Sequence, residues 1–179
     1  LSDVGEPMPV DGPLSDKSNL KNFKLRKPEE TDFMILDVMR TAFPEKAVAF
    51  HMAATFKYSW SLRGSMEQLL MDYILDPDFA HGVARIATDM VLEAVDIGMK
   101  KGADFFVLDG DLAFNAGPLM SPTHYREFIM PYHAEIIKRV HELGGGVPRR
   151  ISQLADLSLL AGAGAELTLV DAETVEAVQ

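Results

Sequence analysis

The chain has 179 residues, 47% of them apolar, with 17 basic against 27 acidic side chains and a net charge of −10. That is enough chain and apolar surface for one domain with its own core, while the acidic balance argues against nucleic acid and anionic membranes as partners. No cysteine is present, which excludes disulfides and thiolate metal sites, and no apolar run approaches the roughly 20 residues needed to cross a bilayer.

No basic, hydrophobic leader opens the chain, so the expectation is a soluble, cytoplasmic protein with a small-molecule or protein partner. It begins at Leu1, as a piece of something longer would. Residues 1–27 read as an irregular lead-in, broken by Gly5, Pro7, Pro9, Gly12 and Pro13. Lys17, Lys21, Lys24, Arg26 and Lys27 there read as a solvated face rather than an anion site.

Pro28-Glu29-Glu30 predicts a helix start, since proline fits the first turn and acids there favour the helix dipole. Phe33 and Leu36 fall on one face, Asp37 and Arg40 on another, and Pro44 closes the segment. Ala47 to Ala53 reads as a short strand that is apolar on both alternations, as buried parallel strands are. Ser65 and Gln68 form a capping-box pattern, opening a helix that turns Leu69, Leu70, Tyr73 and Ile74 toward the core.

Asp76-Pro77 caps a longer helix on which Phe79, Val83, Ile86, Met90, Ala94 and Ile97 recur at helical spacing, with Gly98 and Gly102 ending it. Phe105 to Leu108 is a second apolar strand, leading into Asp109-Gly110-Asp111. Ser121-Pro122 caps a last helix, interrupted by Pro131 and closing at Gly144.

Helices alternating with short apolar strands mean parallel βα units, either an open doubly wound sheet or a (β/α)8 barrel. Gly144-Gly145-Gly146 follows a helix, the wrong context for a dinucleotide loop. After it the composition changes: residues 147–179 hold no aromatic residue, Met, Lys or His. A helix through Leu154 to Leu160 and a strand at Leu167 to Val170 are the expectations there.

Three runs carry a resemblance: Lys101-Gly102-Ala103-Asp104 through Leu108-Asp109-Gly110-Asp111-Leu112-Ala113, then Gly117 to Pro122, then Tyr125-Arg126-Glu127-Phe128-Ile129-Met130-Pro131-Tyr132. They resemble the uroporphyrinogen decarboxylase superfamily, which includes the haem-pathway decarboxylase and corrinoid or coenzyme M methyltransferases. Ala53 to Gly64, ending Trp60-Ser61-Leu62-Arg63-Gly64, is similar to that family's aromatic-rich turn. Gly5, Pro7 and Gly12-Pro13 fit a segment preceding it.

The resemblance spans residues 1–146 and leaves 147–179 as an unmatched tail. It implies a partial (β/α)8 TIM barrel with its site at the carboxyl ends of the strands. A truncated gene, or a frame change near Gly146, would account for the tail. Resequencing across that junction tests the idea, and an unbroken frame ending at Gln179 removes it.

By resemblance the parent is a carboxy-lyase that removes carbon dioxide from the carboxylate side chains of a tetrapyrrole, with no cofactor. The family's arginine loop, early catalytic aspartate and late histidine find no counterpart here, and Gly110 stands where the decarboxylase has a small hydroxyl residue. The fragment alone is therefore expected to be inactive. One alternative is a methyltransferase acting on a corrinoid-linked methyl donor, for which zinc enters only in a full-length parent. Another is a non-catalytic half-barrel serving as a binding or dimerisation module, a homodimer covering its open edges.

Asp109 and Asp111 are the catalytic candidates. They follow a parallel strand, and two close carboxylates can share a proton and act as a general acid. The competing reading has one capping a turn and the other solvated. Tyr58 and Trp60, on one expected face, are substrate-binding candidates, and the resemblance places Trp60 beside a flat macrocycle. Both could equally be core aromatics.

Arg63 suits a substrate carboxylate or a surface ion pair, and Tyr125 and Arg126 either pack or pair near the cap at Ser121 or, by the resemblance, serve the site, Tyr125 as a substrate-binding candidate. His51 reads as a core histidine. His124, His133 and His141 are too widely spaced for a one-turn metal pair and read as structural or exposed.

Overall fold

A computed structural model describes residues 11–115, 117–143 and 151–152. The lead-in forms a short 3-10 turn at Lys17–Lys21, capped by the Asp16 side chain. A second 3-10 turn, Glu30–Phe33, runs into α1 (Met34–Ala42). Pro28 therefore lies outside the helix, and the entry is a box in which Glu29 and Asp32 exchange side-chain and backbone bonds.

Then come β1 (Ala49–Ala53), α2 (Thr55–Arg63), α3 (Met66–Leu75) and α4 (Pro77–Lys100). They are followed by β2 (Phe105–Asp109) and a two-residue hairpin, β3 (Ala113–Phe114) with β4 (Gly117–Pro118). The chain continues with α5 (Pro122–Phe128), α6 (Met130–Leu143) and β5 (Ile151–Ser152). The expected elements at Leu154–Leu160 and Leu167–Val170 lie outside the described residues.

Local chemistry accounts for most boundaries. Ser65, Asp76 and Ser121 each accept a backbone N–H from three residues on, satisfying donors that a helix start leaves open. The α5–α6 break falls at Ile129, just before Pro131 rather than at it: Pro131 has no N–H to give the carbonyl four residues back, and its ring crowds that carbonyl. Gly98 stays inside α4, and Gly102, at a φ of 81°, forms the turn that follows.

The main sheet runs β1-β2-β5 with both pairings parallel, and β1 registers residue by residue from Ala49↔Phe105 to Ala53↔Asp109. Phe50, Met52, Phe106 and Leu108 pack with Phe33 and Leu36, with Val91 and Val95 of α4, and with Ile136 and Val140 of α6. The opposite face carries Ala49, His51 and Val107, all exposed, with Ala53, Phe105 and Asp109 half-buried.

The first strand is therefore not buried on both sides, as its composition suggested. The same alternation overturns the core reading of His51, whose side chain is 64% exposed. Ile74 is likewise exposed rather than turned inward. Among the described residues no helix is long and apolar enough to cross a membrane.

Candidate functional site

Parallel strands direct their carboxyl ends to one side of a sheet, and the connecting segments collect there. Ala53 pairs with Asp109 at that end, and the Ala54 N–H donates to the Asp109 carbonyl at 2.8 Å, fixing the start of α2 against the end of β2. The first turn of α2 then brings Lys57 over the strand ends.

Its Nζ lies 2.8 Å from Asp109 Oδ2 and 4.0 Å from Asp111 Oδ2, while His51 Nε2 is 4.0 Å from the same Asp109 oxygen. A cation thus stands beside both carboxylates, where two like charges alone were expected. Asp111 adopts a left-handed backbone (φ 52°), a conformation more accessible to aspartate than to most side chains.

The loop after Asp111 is pinned by its apolar residues. Leu112, Leu119 and Met120 pack on a cluster containing Phe56, Trp60, Tyr73, Phe128 and Ile129, and Leu119 N–H donates to the Leu112 carbonyl. Tyr125 packs on this same cluster. The structure thus brings Trp60 and Tyr125 together beneath the loop, with Trp60 95% buried.

Tyr58 does not share that face. Two residues apart on a helix means nearly opposite directions, and Tyr58 packs instead between the other two core clusters, where burial pushes its hydroxyl pKa up.

Arg63 is corrected most clearly. It lies at the far end of α2, about 12 Å along the helix from Thr55 at 1.5 Å per residue. It is buried, with its Nε 2.7 Å from Asp72 Oδ2 and its Nη1 donating to the Ser15 carbonyl. Asp72 also holds Lys17 at 2.6 Å. A buried internal ion pair ties the lead-in to α2 and α3, and no surface bridge or strand-end contact is made.

Within the basic lead-in cluster, Lys17, Arg26 and Lys27 each have acidic partners. His133 is buried, its Nε2 has no hydrogen-bond partner, and burial lowers its pKa to about 4. His124 packs edge-on to Tyr73 and Phe128, and His141 is exposed.

A groove of about 640 Å³ runs between residues 23–28 and α4, lined by Phe23, Leu25, Ile86 and Met90, and none of the strand-end residues borders it. Among the described residues no three His, Asp or Glu side chains converge as metal ligands.

The uroporphyrinogen decarboxylase (URO-D) family matches residues 10–163. The chain belongs to that family. Comparison with curated proteins finds no match. The URO-D match runs past Gly146, so it takes in the composition change there. URO-D membership implies a TIM-barrel-like fold, and the parallel β1-β2-β5 order is compatible with it.

Sequence reading missed Lys57 and misplaced His51. The available signals were the odd-numbered register that His51 shares with Ala53, and a lysine one turn beyond a parallel strand's end.

Proposed function

We propose that the described residues form consecutive βα units of a URO-D-type barrel, and that its strand-end cluster serves a carboxy-lyase acting on a carboxylate-bearing tetrapyrrole. The observation that carries this is the Lys57–Asp109 pair at the carboxyl ends of β1 and β2. Among the described residues helices cover one face of the sheet, which supports the barrel: Met52 and Phe106 are packed under them, while His51 and Val107 face away. Doubly wound sheets carry helices on both faces.

The chemistry follows from pyrrole reactivity. A proton adds to a ring carbon, giving a cation. The bond to the side-chain carboxylate then breaks, carbon dioxide leaves, and its electron pair neutralises the ring. A second proton completes the methyl group, and the ring proton is returned.

A carboxylate about 4 Å from the cation stabilises it by roughly 4 kcal/mol at an effective dielectric near 20, on the order of a thousandfold in rate. Asp109, a third exposed, is the group we assign to this, with Asp111 beside it. Trp60 and Tyr125 support the loop from below rather than touching the macrocycle. The reaction needs no cofactor.

Trp60 is the only tryptophan, and energy transfer to a porphyrin reports binding without direct contact. Uroporphyrin should quench its emission saturably, uroporphyrinogen should displace the porphyrin, and Asp109→Asn should weaken both about tenfold, near 1.4 kcal/mol. Absence of saturable quenching, or an Asp109→Asn variant that binds like wild type, would overturn the reading.

A further inference from the structure

We propose that Lys57 is the positioning residue of this strand-end cluster, its ammonium holding Asp109 and Asp111 in one orientation; the inference rests on the function proposed above. Nothing in α2 itself asks for a cation at this point. Positive charge near a helix N-terminus opposes the dipole, and the first turn of α2 contains no acid to offset it. Two acidic partners lie outside the helix: Asp109 at the end of β2 and Asp111 in the loop beyond, both approached through Oδ2.

One ammonium thus reaches both the end of β2 and the loop beyond Gly110. With an Oδ2 atom of each carboxylate turned to Lys57, their other oxygens remain for a ligand. Among the described residues, the charged groups facing Asp109 are Lys57 from α2, His51 from β1 and Asp111 from its own loop. Without the lysine charge the two like charges face each other with no intervening cation.

The test uses the 179-residue chain with uroporphyrin as probe, following Trp60 emission at pH 7. Lys57→Gln should weaken binding about tenfold at pH 7, whereas Lys57→Arg, which keeps the charge, should stay within about twofold. Adding Asp111→Asn to Lys57→Gln should restore part of the loss by removing the repulsion, a coupling a double-mutant cycle isolates.

Thermal melts establish that each variant folds, and the Lys57→Arg comparison stands if Lys57→Gln does not. Lys57→Gln coinciding with wild type overturns this inference alone, as does failure of Lys57→Arg to bind. Failure of every form, wild type included, to bind removes the proposed function and this inference together.

Discussion

Gly12 and Gly64 lie backbone against backbone. A Cβ on Gly12 would stand 2.4 Å from the Leu62 carbonyl oxygen and 2.6 Å from the Gly64 nitrogen, and a Cβ on Gly64 would stand 2.3 Å from the Gly12 nitrogen. The Leu14 N–H donates to the Leu62 carbonyl at 3.0 Å beside this crossing, and Leu14 is fully buried. Two segments some fifty residues apart in sequence, both part of the family resemblance, are thus one structural feature.

Alanine at either position should destabilise the fold strongly. Gly64 also has a φ of 82°, so Gly64→Ala adds a left-handed alanine, of order 1–2 kcal/mol, to a clash with main chain that no side-chain rotation relieves. A loss of about 3 kcal/mol or more is expected for Gly64→Ala, read from urea unfolding. A loss below 1 kcal/mol would mean that the two glycines do not meet.

Arg63 makes a second expectation about the same corner. Replacing it with methionine leaves Asp72 buried and dependent on Lys17 alone. Removing one partner of a buried ion pair costs about 3–5 kcal/mol, and the lower figure applies because Lys17 remains. Tetrapyrrole affinity, measured where the variant is folded, should be unchanged. A stable variant with lost affinity would return Arg63 to the binding site.

His133 gives the fold an acid-sensitive element. Its folded pKa of about 4 lies below the ordinary 6.5 because burial disfavours the charged ring. The unfolded chain therefore binds this proton first. The neutral ring favours the folded state fully above pH 6.5, and that contribution falls away as pH drops toward 4. The loss approaches about 3 kcal/mol at 1.36 kcal/mol per unit. His133→Leu should melt with a shallower dependence between pH 6.5 and 4, and parallel wild-type and variant curves would contradict the assignment.

The sheet's two faces should respond differently to substitution. Phe106 is 98% buried, whereas its neighbour Val107 is 36% exposed. Phe106→Ala is expected to cost about 3–5 kcal/mol, and Val107→Ser less than about 1 kcal/mol. Equal losses would mean that both faces are packed.

The parts legible from sequence were those decided within a few residues. Ser65, Asp76 and Ser121 announce helix starts because a cap bonds only three residues ahead, and Asp109 could be placed at a strand end from the apolar run before it. Sidedness was harder. Phe50 and Met52 alternate with Ala49, His51 and Ala53, but alanine fits either face, so the period-two signal was faint and apolar neighbours made His51 read as core.

Trp60 and Tyr58 were separated by a helix where a turn had been expected. Lys57 could be placed just beyond the strand, but its pairing could not: Asp109 and Asp111 lie fifty-two and fifty-four residues away, and the parallel register brings them together. Arg63 looked available because the lead-in that buries it carries no regular pattern.

The most direct measurement is a crystal structure of the chain with uroporphyrin bound. The groove between residues 23–28 and α4, at about 640 Å³, is of ligand size and is the natural rival location. The account expects the macrocycle at the carboxyl ends of β1 and β2, with its nitrogens toward Asp109 and the Lys57–Asp109 pair intact. A macrocycle seated in the groove against Phe23 and Met90, with the strand ends empty, would contradict it.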